Sequence, residues 1–297
     1  MLAARRCVPG VFTLGILFFL FVQCARAQFM GKQTGCYSAE MEANPHGSIV
    51  ANPNRPTVAN PADITQYGVL EIEYGWDRGW LGAGGRQSDL VGLLKFGLLC
   101  DVELRWNTTS LIALNDQNGD RHGFGDNWFG PQVRFYRQTT HIPSLAFSYA
   151  VKVPTASTSK GLGSGRIDHQ FTILASKDLL GTHFDLNASS FLIGRDNSTG
   201  FDKNFQFNLA FSHPLRGKLA LTGEFYGNTK LKSDTIGFVS MLWALTYAIS
   251  PRLVIDGGID TGLTPGTPQK RMFAGLTYSI ANLYSAAKHR HSAAKTP

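Results

Sequence analysis

In the stretch KNFQFNLAFS, residues 203–212, polar and apolar side chains alternate. Successive side chains of a β-strand point to opposite faces, so this spacing predicts a strand with one polar and one apolar face. The polar face would carry Asn204, Gln206, Asn208 and Ser212, and the apolar face Phe205, Phe207, Leu209 and Phe211. The apolar side is strongly aromatic, which suits a pleated surface.

The same alternation recurs along the chain and predicts twelve strands. Lengths near ten residues suit tilted strands that cross a bilayer. The predicted strands are residues 67–76, 89–97, 101–113, 127–138, 143–153, 166–176, 183–194, 203–212, 218–228, 236–248, 252–262 and 270–281.

The connections between these strands alternate in length. Long ones, such as 77–88, 114–126 and 154–165, are rich in Gly, Asp, Asn and Ser, whereas 98–100 and 249–251 are tight. Short turns at one end and long loops at the other are typical of outer-membrane barrels, and an even strand count places both termini in the periplasm. We therefore predict an all-β protein, an antiparallel up-and-down transmembrane β-barrel of about 12 strands over residues 67–284.

Composition agrees with a β protein and argues against other classes. Charged residues make up 16% and hydrophobic residues 43% of the chain, which argues against disorder, and 32 Gly fit a helical bundle badly. A soluble β-sandwich would show the same alternation. The membrane barrel is favoured because aromatic residues cluster near strand ends, where they form interfacial girdles. The residues expected there are Tyr67, Tyr74, Trp76, Trp128, Phe129, Tyr136, Tyr226 and Tyr284.

The two ends of the chain differ from this body. Residues 1–27 predict a secretory signal peptide, with Arg5 and Arg6 before an apolar run and a small-residue cleavage site at Ala25–Ala27. Residues 28–66 are rich in Asn, Pro and Ala and predict either a periplasmic leader or a lumen plug. Residues 285–297 predict a polar, disordered tail. The predicted location is the bacterial outer membrane.

Charge and cysteine content exclude several functions. The net charge is +7, but three of the Arg residues lie in residues 1–27, which contain no acidic residue, so nothing indicates nucleic-acid binding. After signal removal only Cys36 and Cys100 remain; they could pair in an oxidising compartment or stay as two thiols. Their spacing predicts no zinc site, and we expect no metal or cofactor.

The inward face of the predicted barrel carries charges of both signs. Basic residues come from strands two to six and acidic ones from strands nine to twelve and strand one, with Arg271 as an exception. Opposed arcs would create a transverse field that filters ions; alternatively, the charges pair locally in a filled lumen, as Glu103 would with Arg134. The lumen-lining candidates are Glu71, Glu73, Lys95, Arg105, Arg134, Lys152, Arg166, Glu224, Asp256 and Asp260.

Three further motifs favour ordinary interpretations. The run Asp116–Asp120 resembles a calcium loop but has Arg121 where that loop needs Gly, so a polar outer loop is favoured. The stretch 161–165, GLGSG, precedes no helix and is interpreted as a loop rather than a phosphate site. Ser164, Asp168 and His169 lie close in sequence, but a catalytic group is defined by geometry.

Several short strings, in their order, resemble the outer-membrane β-barrel family named for the MetA pathway of phenol degradation. They are Gly125-Asp126, Lys152-Val153-Pro154-Thr155, Gly163-Ser164-Gly165 with Asp168, Asp256-Gly257-Gly258 and Gly275-Leu276-Thr277-Tyr278. The resemblance covers about residues 67–281 and implies a transporter-like barrel with no catalytic residues to carry over. It departs from the usual barrel in having residues after Tyr278-Ser279-Ile280, so the signal for the barrel-assembly machinery is internal or displaced to Tyr284.

We therefore expect a porin-like channel or transporter for small solutes, apolar or aromatic ones if the family name reflects its cargo. The expected partners are outer-membrane lipid, a small-molecule solute and the barrel-assembly machinery, with no nucleic acid. Two alternatives remain: a barrel enzyme that acts on lipids, and a structural or surface-binding barrel without transport.

Overall fold

The computed structural model describes residues 48–81, 84–195, 199–230, 236–265 and 270–284. Among them no helix is both long and apolar enough to cross a membrane. The predicted signal peptide and C-terminal tail, and residues 28–47 of the predicted leader, lie outside the described residues.

Antiparallel strands form one closed sheet. Apart from the short fourth strand, each strand pairs with its neighbours in the chain, and the first strand closes the sheet by pairing with both the last and the second. The strands are β1 (Val69–Trp80), β2 (Arg86–Leu99), β3 (Val102–Asp116), β4 (Gly119–Gly123), β5 (Asn127–Tyr136), β6 (Ser144–Val153), β7 (Asp168–Leu179), β8 (Thr182–Gly194), β9 (Phe201–Arg216), β10 (Leu219–Asn228), β11 (Phe238–Ser250), β12 (Leu253–Gly262) and β13 (Lys270–Asn282).

The predicted fold class, a twelve-stranded antiparallel barrel, is confirmed. The short β4 pairs with the end of β3 and β5 pairs with its beginning, so β4 and β5 together make one strand position of the wall. The strand β4 lies within residues 114–126, where the sequence predicts a loop.

Alternation along the strands separates two surfaces. On β9, Asn204 and Asn208 are buried, whereas Phe205 and Phe207 are 56% and 58% exposed. The same division holds around the wall, so the outer surface is apolar and the inner surface is polar. This is the arrangement of a barrel immersed in lipid.

Two aromatic residues depart from the prediction of an interfacial girdle. Tyr226 is buried, and its hydroxyl donates a hydrogen bond to Asp260 inside the barrel. Trp128 lines an internal cavity. Both lie at inward register positions, so their placement in the girdle was wrong, while Trp76, Phe129, Tyr136 and Tyr284 are exposed on the outside.

The two ends of the barrel differ as the sequence predicts. Tight turns join β7 to β8 and β9 to β10, and the chain enters β1 and leaves β13 at this same end. In the first of these turns Leu180 and Gly181 both have positive φ, which matches the twist of the flanking strands. The long connections gather at the opposite end, which we call the long-loop end.

Candidate functional site: the barrel interior

Residues 49–66, which we call the lumen loop, occupy the barrel interior. The backbone amide groups of this loop donate hydrogen bonds to side chains from many strands around the wall. Its alanines Ala59 and Ala62 are completely buried. The loop enters at the tight-turn end, where the Ala51 amide donates to the Pro251 carbonyl, and it leaves at the same end into β1.

The ascending half of the loop is held by β1 and β2. The amides of Asn52 and Asn54 donate to Glu71 at 2.9 Å and Glu73 at 2.8 Å. Lys95, which is fully buried, lies 2.7 Å from the Glu71 carboxylate and 2.6 Å from that of Glu73. The same ammonium donates to the Asn52 carbonyl and the Asn54 side chain. One buried cation therefore links two carboxylates of the wall to the loop.

At the apex, Arg55 reaches across to β12. Its guanidinium donates two hydrogen bonds to Asp256, at 3.1 and 3.0 Å. The guanidinium lies over Gly75 and Gly275, which are paired across β1 and β13. A Cβ atom on either glycine would come within 2.4 Å of the guanidinium, so the absence of side chains there makes the space for Arg55.

Carboxylate and amide side chains bind the rest of the apex. Glu224 accepts hydrogen bonds from the amides of Val58 at 2.7 Å and Ala59 at 2.6 Å. Asn187 accepts from the Asn60 amide and donates to the Asn60 carbonyl. A buried carboxylate that accepts backbone hydrogen bonds is compensated without a cation, which explains why Glu224 can lie inside.

The descending half contacts β3, β5 and β7. Arg105 donates to the Asn60 side chain and to Gln132, both at 2.8 Å. Arg134 pairs with Asp63 of the loop at 2.8 Å and with Asp101 at 2.9 Å. Glu103 accepts from the Thr65 amide and lies 3.7 Å from the Arg105 guanidinium, so the predicted pair of Glu103 with Arg134 is wrong.

The remaining predicted lining residues lie nearer the long-loop end. Lys152 pairs with Asp168, and Asp260 pairs with Arg271 at 3.0 Å. Arg166 is exposed in the connection before β7 rather than in a strand, because β7 begins two residues later than predicted. These lumen charges thus have partners on neighbouring strands or on the loop. This is what the filled-lumen interpretation predicts.

Above the apex of the loop lies a cavity of about 450 Å³. The loop forms its floor with Asn54, Arg55, Thr57, Val58 and Asn60. In its wall, the rings of Trp128 and Phe191 meet edge to face at 6.4 Å. Polar wall residues include Asn107, Gln170, Thr172 and Gln206. The cavity therefore offers an aromatic surface among neutral hydrogen-bonding groups, and the charged residues Glu73, Arg105 and Asp126 also line it.

The residues considered for catalysis are not brought together. The Ser164 hydroxyl accepts from Lys152 at 2.9 Å, and Asp168 points inward to the same lysine. His169 lies on the other face, where its ring bonds the Tyr149 hydroxyl at 2.9 Å and contacts Phe201. Serine and histidine are thus on opposite sides of the wall.

The Asp116–Asp120 run forms the tight turn between β3 and β4. The Asn118 amide donates to Asp116, whose carboxylate also pairs with Arg121. Among the described residues, no group of three or more His, Cys, Asp or Glu side chains could hold a metal ion. Cys100 is disulfide-bonded.

Sequence reasoning missed the contribution of the loop to this site. Arg55, Asn60 and Asp63 lie in a segment without periodicity, so no pattern assigns them a position. The inward glycines Gly75 and Gly275 were a usable signal, because a small residue at an inward position leaves space for another group.

An apolar exterior, a polar interior and closure of the sheet define an outer-membrane β-barrel. The chain belongs to the family described as MetA-pathway of phenol degradation, which it matches over residues 50–280. No curated protein matches the chain.

Several solved structures are similar to the chain at low sequence identity. The chain is similar to the COG4313 outer membrane channel from Pseudomonas putida F1, with 12% identity, a TM-score of 0.61, and coverage of 76% of this chain and 100% of that one. It is also similar to the KdgM porin (10% identity, TM-score 0.46, 71% and 99% covered) and to outer membrane phospholipase A from Escherichia coli (15% identity, TM-score 0.41, 80% and 98% covered).

Proposed function

We propose that the protein is a channel that admits small solutes through the outer membrane and that the lumen loop restricts their passage. The cavity of about 450 Å³ above the loop carries this proposal, because it is a chamber with a floor made from a non-strand segment. Twelve strands enclose more space than the eight that side chains alone fill. The similar structure from Pseudomonas putida F1 is described as an outer membrane channel.

The solutes that suit this chamber are small aromatic or apolar compounds with a hydrogen-bonding group. Trp128 and Phe191 provide ring surfaces for stacking, and Gln170 and Gln206 provide donors and acceptors. The fixed charges beside the cavity are engaged with partners, as Arg55 is with Asp256. Because these charges are paired, the cavity suits a neutral solute better than an ion.

A loosened loop tests the channel proposal. Arg55→Ala combined with Glu224→Ala removes the ion pair with Asp256 and the carboxylate that accepts from the Val58 and Ala59 amides. We expect single-channel conductance in planar bilayers to rise severalfold. The matched control is Arg195→Ala, whose ion pair with Asp202 is half exposed and contributes about 0–1 kcal/mol. The channel proposal would be wrong if wild type and variant both fold but show neither conductance nor uptake of phenol-sized solutes into liposomes.

We expect no lipid-hydrolysing activity, because Ser164 and His169 lie on opposite faces of the wall. The expected result is that detergent-solubilised protein releases no fatty acid from phospholipid. Hydrolysis that Ser164→Ala abolishes would favour the enzyme instead.

We also propose that the barrel-assembly machinery receives the chain through β13 and Tyr284. The Tyr284 ring packs on Tyr67 at 4.8 Å and on Phe96 at 5.6 Å, and its hydroxyl donates to the Leu98 carbonyl at 3.0 Å. An aromatic residue therefore marks the end of the last strand although the chain continues beyond it.

A further inference from the structure

A groove of about 340 Å³ lies on the outer surface of the barrel, near the long-loop end. We call it the outer basic groove. Arg78, Arg86, Arg121 and His122 contribute to it, together with Ser88, Ala113, Leu114, Asn115 and Asp120. Among the described residues that line it, Asp120 is the only acidic one, and the Asn115 side-chain amide donates to that carboxylate.

The register of the strands places the basic side chains on the lipid side. Arg78 shares its face of β1 with Trp76, which is 38% exposed, and lies opposite the buried face of Glu71 and Glu73. Across the sheet Arg78 pairs with Ser88, Ser88 with Ala113, and Ala113 with His122. The next row towards the long-loop end runs from Lys270 through Trp80 and Arg86 to Asn115. Arg78, His122, Lys270 and Arg86 therefore stand in two adjacent outward rows, whereas Arg121 pairs with Leu114 in an inward row.

The row immediately below is apolar. Trp76 pairs with Leu90, and Leu90 pairs with Leu111, which is 37% exposed. Two residues along a strand span about 6.6 Å, so the guanidinium of Arg78 lies one row beyond the hydrocarbon-facing surface. Tryptophan marks the boundary between hydrocarbon and headgroups in membrane proteins. The basic rows therefore lie at the depth of lipid headgroups.

Arg78 and Arg86 are not engaged by the protein. Within the described ranges, neither guanidinium has a hydrogen bond or an ion pair, whereas the lumen arginines Arg55, Arg105 and Arg134 have two or more hydrogen bonds each. A guanidinium presents a planar fork of donors that matches phosphate oxygens. The guanidinium groups of Arg78 and Arg86, at the depth of the headgroups, are therefore suited to bind a phosphate of a lipid.

We propose that the outer basic groove binds the phosphorylated glucosamine headgroup of lipopolysaccharide in the outer leaflet. Arg78 and Arg86 would hold the phosphates, with His122 and Lys270 at the sides. The acyl chains would lie on Trp76, Leu90 and Leu111. The long-loop end faces the cell exterior in such barrels, which selects the outer-leaflet lipid.

Binding of rough-type lipopolysaccharide to the detergent-solubilised full chain tests this proposal. We expect Arg78→Ala with Arg86→Ala to weaken binding at least about tenfold, since two charge-assisted contacts are lost. Arg78→Lys with Arg86→Lys should recover part of the affinity. The matched control is Lys203→Ala, because Lys203 is exposed on β9 near the same end.

The lipid used as the probe provides the second comparison. Wild type should bind enzymatically dephosphorylated lipopolysaccharide as weakly as the double alanine variant binds the intact lipid, and salt should weaken only the intact complex. Equal binding of wild type and the double alanine variant, with both showing the same heat-dependent gel shift of a folded barrel, would overturn the proposal. Equal affinity for phosphatidylglycerol vesicles would overturn the assignment to lipopolysaccharide.

Discussion

Arg55 is held by residues far away in the sequence. Its charge is matched by Asp256, and its space is provided by Gly75 and Gly275. A side chain at either glycine would occupy the position of the guanidinium, so these two positions control whether the apex of the lumen loop can dock. The opposing pair of glycines is therefore as much part of the site as the ion pair.

Substitution of one glycine tests this dependence. In Gly75→Ala, the new Cβ atom would lie 2.4 Å from the guanidinium carbon, so Arg55 must leave its place beside Asp256. We expect a loss of about 1–3 kcal/mol in the free energy of unfolding, measured by urea titration in detergent, together with higher conductance.

Gly257→Ala is the control, because a Cβ atom there meets ordinary contacts at 3.5 and 3.9 Å. Adding Arg55→Ala to Gly75→Ala should cost less than the sum of the two single changes, since both remove the same contact. Strict additivity would show that Gly75 acts independently of Arg55.

Individual lumen residues were predictable only in part. Alternation assigned Glu71, Glu224 and Asp256 to strands with an inward register, because the period of a strand is two. Their partners could not be predicted, because backbone amides such as those of Val58 and Ala59 carry no sequence signature. Strand alternation predicts which face of the sheet a side chain lies on. Its hydrogen-bond partner depends on the path of the lumen loop, which has no periodic pattern.

At the scale of elements, β9 shows how strictly the two faces are separated. Phe207 is 58% exposed on the outside, while its neighbour Gln206 lines the internal cavity. Adjacent residues of this strand therefore face two different environments, the hydrocarbon of the membrane and the polar interior of the barrel. The same substitution at these two positions should have very different costs.

Substitution by arginine distinguishes the two positions most clearly. Phe207→Arg should lower the stability of the folded barrel by about 2–4 kcal/mol if the site is near the membrane midplane, whereas Gln206→Arg should cost much less. Urea titration in lipid vesicles and the yield of heat-modifiable protein in outer membranes measure both variants. Similar losses of stability in the two variants would mean that β9 has another register or that the fold is soluble.

Among the elements, β4 was not predictable. Its five residues, GDRHG, include no apolar residue to alternate with, so the stretch has the composition of a loop. It is a strand because it continues the hydrogen bonding of β3 beyond the start of β5. The longer strands were predicted within a few residues, since each presents an aromatic or aliphatic face to lipid.

At the scale of the whole molecule, the unequal ends give the barrel a direction. The long connection 154–167 lies at one end, and the two-residue turn with Leu180 lies at the other. Long loops of outer-membrane barrels face the cell exterior and short turns face the periplasm. The cavity above the lumen loop and the outer basic groove would then both lie towards the cell exterior.

Cysteine labelling tests this direction. Ser159→Cys should react with a membrane-impermeant maleimide on intact cells, because Ser159 is exposed in the 154–167 connection. Leu180→Cys, at a fully exposed position in the tight turn, should react only after the outer membrane is opened. The wild-type chain labelled in parallel supplies the background, and the opposite pattern would reverse the orientation.

The path of the lumen loop determines how it would respond to mechanical force. Its first attachment, Ala51 to Pro251, is at the tight-turn end, and the attachments of Asn52, Asn54, Arg55 and Val58 follow in chain order. A pull on Ile49 from the periplasm would load the attachment nearest the tight-turn end first, because the later attachments follow it along the chain. Attachments that break in turn need less force than attachments that must break together. A periplasmic tether could therefore draw the loop out while the wall stays intact.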